Sequence, residues 1–298
     1  MIASEQPPEL LLYFKKSIPE IKDPLFKANN VLLPFLKKPK NNAFFNQTWK
    51  KINKYSLNAL RYGGIPFLPR KIIWWYFRST MIKEARKDKT LIEIEKSLRK
   101  IMRKNFSKDK DKIPNLNKRA LRSFNKIYPF LKGESVLDLG AGDGLLGETI
   151  LRKTSKKVIL YDIIDYNYSS LPMNIYPENG TIELPDNSID TTILYTVLHH
   201  ASNPLHVLDE AIRVTKKRII IVEGFVDTKY HYLFNSFFDW FLNRVAKDED
   251  VPIPLNYLST IGWTNLFTKK SLKLNKKIFL GVDEPVAPEY HMLYVLDK

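Results

Sequence analysis

The stretch Glu134–Gly147, ESVLDLGAGDGLLG, decides the fold of this chain. Its first half alternates β-forming residues, Val136, Leu137 and Leu139, and an apolar periodic segment follows. Three of the chain's 11 glycines fall within five positions, at 140, 142 and 144. Glycine is used where the backbone needs positive φ or must lie against a ligand. The stretch therefore predicts a strand, a tight turn and a helix, either as a plain connection or as a nucleotide site at a strand's carboxyl end.

Strands and helices alternate downstream of this stretch. The apolar runs predict strands at Lys157–Asp162, Thr191–Val197 and Ile219–Glu223. Helical spacing predicts helices at Leu145–Lys153 and Pro204–Val214, and Pro172 and Pro177 bracket a predicted loop. Strands that alternate with helices in this way form a parallel sheet with helices on both faces. The sequence therefore predicts an α/β fold with a doubly wound sheet.

The N-terminal part reads as a helical extension. Prolines at 7, 8, 19, 24, 34 and 39 predict that early helices fit only between them, for example at Pro8–Lys16. Apolar spacing predicts further helices at Gln47–Tyr62, Pro69–Lys87, Leu91–Phe106 and Leu116–Leu131. A charge-rich hinge lies between the last two. We therefore expect a basic helical extension over residues 1–112 and an α/β domain over residues 113–298.

The charge of the chain is concentrated in this extension. Residues 1–133 hold 31 Lys and Arg against 10 Asp and Glu, whereas the remaining 165 residues hold 17 against 22. Such a segment indicates an anionic partner, either nucleic acid or lipid headgroups, or simply a lysine-rich solvated surface. Four consecutive aromatic residues, Trp74–Phe77, lie between basic residues of the same segment. They indicate a membrane interface, a base-stacking surface or the buried face of a helix.

Composition excludes several classes of protein. The chain has no cysteine, which excludes a disulfide framework, a thiolate zinc site and a cysteine nucleophile. No apolar run approaches the ~18 residues of a membrane span, and the N-terminus lacks the pattern of a signal peptide. We expect a cytoplasmic protein, either free or peripheral at the membrane.

Two carboxylates point to the ligand of the glycine turn. Asp162 follows Gly142 by 20 residues and ends the next predicted strand, where it can accept hydrogen bonds from two ribose hydroxyls. Dinucleotide sites share this spacing, but their G-x-G-x-x-G turn is longer than Gly140–Gly144. Asp138, two residues before the turn, would repel a pyrophosphate and suits an amine and a sulfonium. These residues favour S-adenosylmethionine over NAD.

Three motifs resemble those of class I S-adenosylmethionine-dependent methyltransferases. They are VLDLGAGDG at Val136–Gly144, the acid Asp162 after VILY, and LPDNSIDTTILYTVLHH at Leu184–His200, continuing into EAIRVTKKRIIIVE at Glu210–Glu223. Within the class they are most similar to the ubiquinone and menaquinone C-methyltransferases and their small-molecule relatives. The resemblance implies a Rossmann-like, mostly parallel sheet of seven strands with an antiparallel last strand at His291–Leu296.

The resemblance also implies roles for individual residues around S-adenosylmethionine. Asp138, Gly140, Ala141 and Gly142 would line its methionine end, Asp162 would hold the ribose, and Ile163 would pack on the adenine. Glu178 or Asn179, in the sequence PENG, would contact the adenine amino group, and Tyr195 would face the sulfonium and the substrate.

Catalysis by direct methyl transfer requires mainly positioning and desolvation, because the sulfonium is already a good leaving group. His199 or His200 could act as a general base; alternatively, one caps the following helix and the other packs under the sheet. No metal-ligand spacing appears in the sequence, so we expect no metal.

The sequence offers several interpretations of the methyl acceptor. The aromatic segment Tyr230–Leu242 suits a hydrophobic substrate or a lid, or forms a core helix. We expect O- or C-methylation of a small, hydrophobic or lipid-like molecule. The alternatives are an RNA methyltransferase that binds nucleic acid through its basic extension, and a non-catalytic module that only binds partners.

Overall fold

The computed structural model describes residues 25–38, 42–62, 67–105, 113–246, 252–285 and 287–298. Its α-helices are α1 Phe26–Leu36, α2 Ala43–Tyr62, α3 Phe67–Ala85, α4 Leu91–Asn105, α5 Ile113–Ile127, α6 Leu145–Lys153, α7 Pro204–Val214, α8 Lys229–Trp240 and α9 Thr260–Lys269. Its strands are β1 Ser135–Leu139, β2 Lys157–Asp162, β3 Met173–Ile175, β4 Ile189–Tyr195, β5 Thr215–Gly224, β6 Lys273–Val282 and β7 Tyr290–Asp297. None of the helices in these residues is long and apolar enough to cross a membrane.

The described strands form one seven-stranded sheet in the order β3-β2-β1-β4-β5-β7-β6. β1 pairs in parallel with β2 and with β4, and β5 pairs in parallel with β4. β7 pairs antiparallel with β5. The reversal of strand order between β1 and β4 makes this a doubly wound, Rossmann-like sheet, and the predicted fold class is confirmed.

Local sequence determined most element boundaries in the α/β part. The predicted bounds of α6, β2 and α7 are those of the structure. The predicted loop between Pro172 and Pro177, however, contains the short strand β3, which pairs in parallel with the end of β2. β3 has only three residues, which are too few to show the alternation of a strand in the sequence. Pairing with β2 holds them in the extended conformation.

The expectation that early helices fit only between prolines is wrong for α1, because Pro34 lies inside it. Pro34 stands in the last turn, where proline removes one hydrogen bond without interrupting a longer helix. The predicted helix Pro8–Lys16 lies outside the described residues. The helix predicted at Leu116–Leu131 ends as α5 at Ile127 and is followed by a 3₁₀ turn, Tyr128–Phe130.

The chain divides into two compact units. Unit 1 comprises residues 1–110, 225–258 and 282–290, and unit 2 comprises residues 111–224, 259–281 and 291–298. The first break lies beside the domain boundary predicted at 112, but two C-terminal segments group with the N-terminal helices. The predicted division into residues 1–112 and 113–298 therefore differs from the division into compact units and stays a prediction.

The core of unit 1 explains why a C-terminal segment groups with the extension. Residues Leu233 to Trp240 of α8 are buried, and Phe237 packs edge-on against Trp49 of α2 and Trp74 of α3. Large aromatic side chains bury the most apolar area per residue, so such contacts dominate a core. The aromatic segment around α8 is therefore a core helix of unit 1.

The core of unit 2 holds the sheet under α5 and α6. Val136 of β1, Ile193 of β4 and Val222 of β5 belong to one buried cluster with Phe124 of α5 and Ile150 of α6. Strands that carry apolar residues on both faces become the interior of such a sheet. This packing fixes the carboxyl ends of β1, β2, β4 and β5, where the sequence places its candidate residues.

Candidate functional site

The glycine turn after β1 combines two kinds of glycine. Gly140, Gly142 and Gly144 all have positive φ, at 75°, 55° and 72°. A Cβ on Gly140 would lie 2.5 Å from a Val197 methyl carbon, and one on Gly144 would lie 2.5 Å from Asn167 Oδ1. A Cβ on Gly142 would meet nothing within 4 Å. The fold requires Gly140 and Gly144, whereas Gly142 leaves open space against which a ligand can lie.

Asp162, at the end of β2, is bonded to this turn. Its Oδ2 accepts the N–H of Gly142 at 2.7 Å, and its Oδ1 accepts the N–H groups of Ile163 at 2.7 Å and Ile164 at 3.3 Å. Burial raises the pKa of Asp162, and the three N–H donors oppose that rise without cancelling it. The carboxylate is held in one orientation, and Oδ2 keeps a lone pair for a hydroxyl donor.

Asp138 is the buried acid of β1, with a relative exposure of 2%. Its Oδ2 has no hydrogen-bond partner among the described residues. Burial, together with the negative charges of Asp143 and Asp162, raises the pKa of Asp138 to about 7. A backbone hydrogen bond from Gly147 opposes that rise without cancelling it, and an ionised carboxyl at such a buried position is unfavourable unless a cation accompanies it. The carboxyl ends of β1 and β2 therefore form a site that favours a positively charged group.

The residues expected around an adenine are exposed. Ile163 and Ile164 are 40% and 43% exposed directly after Asp162, where they offer an apolar surface for a flat ring. Glu178 and Asn179 lie in the exposed turn after β3. Glu178 Oε1 accepts the N–H of Ser202 at 3.3 Å, and Asn179 has a φ of 63°. Their contact with adenine stays a prediction.

Ala141, within the turn, and Tyr195, at the end of β4, are both buried. The N–H groups of Gly140 and Ala141 both donate to the carbonyl of Tyr161 in β2, at 2.8 and 3.1 Å. Tyr195 ends β4, and its ring belongs to the buried cluster under α5, with its hydroxyl 3.5 Å from Lys126 Nζ. The sequence-based role of Tyr195 opposite the sulfonium stays a prediction.

His199, in the loop after β4, and Glu223, near the carboxyl end of β5, form a buried pair. His199 Nδ1 lies 2.6 Å from Glu223 Oε2. Glu223 Oε1 accepts the N–H groups of Val197 at 2.8 Å and Leu198 at 2.6 Å. Burial acts to raise the pKa of Glu223, but the charge and hydrogen bond of His199 and the N–H of Leu198 bring it below its usual value. Glu223 is therefore an ionised partner for the imidazole.

His200 adjoins this pair. Its ring centroid lies 4.1 Å from that of His199, and its backbone N–H donates to the carbonyl of Val197 at 3.1 Å. The two histidines thus lie together in the loop after β4. Of the two, His199 is held by a carboxylate in the way that orients catalytic imidazoles.

Sequence reasoning missed the structural role of Glu210 and Arg213 in α7. Glu210 Oε2 accepts the N–H of Ile182 at 2.8 Å. Arg213 donates to the carbonyls of Ile182 and Leu184 and to Asp186, each at 2.8 Å. These two side chains hold the segment that leads into β4. Their i, i+3 spacing on one helix face was the available signal, but it did not reveal the distant partners.

A second missed group is Asp190 of β4. Its Oδ2 accepts the N–H groups of Glu134 at 2.8 Å and Ser135 at 3.2 Å, and Oδ1 pairs with Lys217 Nζ at 2.8 Å. The hydrogen bond with Lys217 and the N–H donors hold the pKa of Asp190 well below its usual range. Asp190 therefore fixes the start of β1, on which the glycine turn depends.

Comparison with known families identifies the class of domain that contains this turn. Residues 137–222, which run from β1 to β5, match a family model described as a methyltransferase domain. The chain carries a methyltransferase domain. It is an enzyme of the S-adenosylmethionine-dependent class, as the motifs of its sequence predict. The likeness to the ubiquinone and menaquinone C-methyltransferases stays a prediction, and a search of curated proteins returned no match.

Solved structures similar to this methyltransferase share little sequence with it. A SAM-dependent methyltransferase from Aquifex aeolicus is 19% identical, with a TM-score of 0.43, over 64% of this chain and 99% of that one. One from Archaeoglobus fulgidus is 12% identical, with a TM-score of 0.46, over 61% of this chain and 94% of that one.

The cofactor of the methyltransferase is S-adenosylmethionine, and the residues of the turn fit it. The open space at Gly142 admits a ligand against the backbone. The unpartnered Oδ2 of Asp138 suits a cationic amine, and the ordered carboxylate of Asp162 suits a ribose. These acceptor oxygens and their negative charge therefore match the amine, the sulfonium and the hydroxyls that this cofactor carries.

Proposed function

We propose that this methyltransferase transfers a methyl group to an oxygen or carbon atom of a small, hydrophobic or lipid-like acceptor. The binding of the cofactor is inferred from the buried carboxyl of Asp138, whose Oδ2 has no hydrogen-bond partner among the described residues, and from the open backbone of Gly142. When bound, S-adenosylmethionine supplies an electrophilic methyl group on a sulfonium.

The turn residues would bind and orient this cofactor. Asp138 would accept a hydrogen bond from its amine, and Gly140, Ala141 and Gly142 would lie along its methionine end. Asp162 would accept hydrogen bonds from the ribose, for which its three N–H contacts already fix the carboxylate. Ile163 would cover the adenine with its exposed side chain.

His199 is our candidate for the general base, with Glu223 as its positioning residue. Attack by a hydroxyl or an acidic carbon forms a bond to the methyl carbon, breaks the methyl–sulfur bond and releases one proton from the acceptor. Because Glu223 Oε2 occupies Nδ1 of His199, Nε2 is the nitrogen that would take this proton. The ionised Glu223 would stabilise the imidazolium that results. His200 is the second candidate for this role.

Unit 1 contains an open, mostly apolar groove. Its volume is about 390 Å³, and Val31, Phe35, Phe44 and Leu233 line it together with Lys38 and Lys229. Sites for small molecules have volumes of roughly 300–1,000 Å³ and are mostly apolar with a few polar groups. Apolar walls with two lysines suit a molecule that joins a hydrophobic body to an anionic group.

RNA methylation is the second candidate, and one observation favours it. Residues 1–133 carry 31 basic against 10 acidic side chains, which would attract a phosphate backbone. RNA binding through this charge would weaken steeply as salt is added, because each phosphate contact releases counterions.

The test of the proposed function is the fate of a labelled methyl group. The full chain is incubated with methyl-labelled S-adenosylmethionine and cell extract, and the product is sorted into organic-soluble, aqueous small-molecule and RNA pools. We expect label in the organic-soluble pool and none with the Asp162→Ala variant. Ribonuclease-sensitive label would favour the second candidate, and absence of label from every pool would contradict both.

The role of His199 requires a kinetic test once the acceptor is known. General-base catalysis contributes roughly 10²–10⁴-fold in rate. We expect His199→Gln to lower kcat by that order without changing the affinity for S-adenosylmethionine, and Glu223→Gln to shift the acidic limb of the pH–kcat profile. A loss of thermal stability with unchanged kcat would show that the pair only holds the loop after β4.

A further inference from the structure

Helix α3 presents a second apolar face in addition to the one in the core. Trp74, Phe77 and Met81 are buried in the core of unit 1. On the opposite side of the helix, Ile72, Trp75 and Tyr76 are 62%, 65% and 50% exposed. A helix that is apolar on both sides is normally enclosed by protein or lies against lipid. The predicted aromatic cluster is thus half core and half surface.

The exposed face of α3, which we define as Ile72, Trp75 and Tyr76, continues into basic residues. Positions 72, 75, 76, 79 and 83 recur at helical spacing along one stripe, and Lys83 at the fifth of them is exposed. Arg86 and Lys87 follow in the turn after the helix and are exposed too. Aromatic and aliphatic side chains therefore lie at one end of the stripe and cations at the other.

The acids of this segment are already paired. Glu84 forms ion pairs with Lys87 and Lys89, and Asp88 Oδ1 lies 2.7 Å from Lys37 Nζ. Residues 67–89 hold seven Lys and Arg against these two acids. The surface around the exposed face is therefore cationic, and its charge complements an anionic partner.

We infer that the exposed face of α3 docks the enzyme on an anionic lipid bilayer. Trp and Tyr prefer the headgroup level of a bilayer, and an aliphatic side chain gains from entering the acyl boundary beneath it. Lys83 and Arg86 would contact acidic headgroups, each basic residue near the surface adding to the attraction. RNA is the weaker occupant, because Ile72 has no π face on which a base could stack.

The position of this face is set by the core and not by the exposed residues themselves. Trp74 Nε1 donates to Asn53 Oδ1 of α2 at 2.8 Å, and the Trp74 and Phe77 rings pack edge-on against Phe241. Substitution of Trp75 and Tyr76 leaves these contacts in place. The docking surface can therefore be changed without changing the core of unit 1.

The test is flotation of the full chain with vesicles, without cofactor or acceptor. Vesicles of phosphatidylcholine alone are compared with vesicles that contain 30% phosphatidylglycerol. We expect the parent to bind the anionic vesicles. We expect Trp75→Ser/Tyr76→Ser to bind them more weakly than the parent, by at least about tenfold for each large apolar side chain removed. The matched control is Tyr168→Ser/Ile261→Ser, whose parent residues are 56% and 68% exposed elsewhere and whose loss we expect to change nothing.

Two further measurements secure the interpretation. Lys83→Gln/Arg86→Gln should weaken binding to anionic vesicles about 30-fold, and added salt should reduce the difference from the parent. If Trp75→Ser/Tyr76→Ser does not fold, as judged by circular dichroism, Trp75→Phe replaces it. Brominated lipid should then quench the tryptophan fluorescence of the parent more than that of Trp75→Phe.

Four results would overturn the inference. The first is failure of the parent to float with anionic vesicles, and the second is equal flotation of the parent and Trp75→Ser/Tyr76→Ser. The third is a dimer in solution that dissociates in this double variant. The fourth is RNA binding that the double variant loses while neither protein binds vesicles. None of these readouts depends on methyl transfer.

Discussion

Replacement of Asp138 by Asn should stabilise the ligand-free enzyme at alkaline pH and weaken its cofactor binding. The carboxyl of Asp138 is buried, and its pKa is raised to about 7. The pKa of an aspartate in the unfolded chain is about 3.9. Between these values the folded state binds the proton that the unfolded state has released. Stability therefore falls as the pH rises through this window.

The size of the effect follows from the two pKa values. Each pH unit within the window removes about 1.4 kcal/mol, so the ionised Asp138 lowers the free energy of unfolding by about 4 kcal/mol above pH 7. Asn carries no charge, but its buried amide lacks hydrogen-bond partners. This lowers the free energy of unfolding by about 1–3 kcal/mol at every pH. The clearest signal is the advantage of Asp138→Asn over the parent, which should grow by about 3 kcal/mol between pH 5 and pH 8.

Urea unfolding followed by circular dichroism at both pH values measures this difference, and calorimetry measures the affinity for S-adenosylmethionine. Loss of a hydrogen bond to a charged group should weaken binding by about 10–150-fold. An advantage of Asp138→Asn that does not change with pH would refute the raised pKa. An unchanged affinity would refute the contact with the cofactor amine.

Three further predictions concern the surroundings of the turn. An Ala side chain at position 142 meets open space, and its positive φ costs about 1–2 kcal/mol. Gly142→Ala should therefore fold but bind the cofactor weakly. In Gly140→Ala the new Cβ collides with Val197, so this variant should have the lower melting temperature of the two. Arg213→Ala should lower the free energy of unfolding by about 2–4 kcal/mol, because charged hydrogen bonds to the segment before β4 are lost. The folded pKa of Asp190 is lowered, so its ionised carboxylate contributes fully to the free energy of unfolding above pH ~4. That contribution is lost as the pH falls from there through the lowered pKa. The stability difference between the parent and Asp190→Ala, measured by urea unfolding, should therefore shrink at acidic pH.

Each of these has a contrary outcome. Equal melting temperatures for the two glycine variants would show that Gly140 is not confined by Val197. An Arg213→Ala protein as stable as its parent would show that the segment before β4 is held by other contacts. A stability difference for Asp190→Ala that is as large at pH ~2 as at pH ~5 would show that its carboxylate is not the group that titrates.

The turn and its two acids could be read from the sequence because their signals are local. Asp138 and Gly142 lie four residues apart in one strand–turn unit, and Asp162 ends the next strand. Parallel strands bring their carboxyl ends together, so this spacing alone predicts proximity. The observed bond between Asp162 Oδ2 and the N–H of Gly142 has this origin.

The remaining features depend on contacts distant in sequence. The pairing of His199 with Glu223 joins residues 24 apart at the ends of two strands, and the sequence shows the residues without their distance. The grouping of α8 with the N-terminal helices depends on aromatic packing, such as that of Phe237 against Trp49. The aromatic run at residues 74–77 could not reveal which of its members face the core, because that depends on where α2 and α8 lie.

Direct titration of S-adenosylmethionine into the full chain tests the cofactor site most directly. We expect one saturable site per chain, a marked loss of affinity for Asp138→Asn and Asp162→Ala, and unchanged affinity for Ile261→Ser, a substitution at an exposed side chain of α9. Absence of binding at millimolar concentration, or equal affinity in all four proteins, would contradict the assignment of the cofactor to the turn after β1.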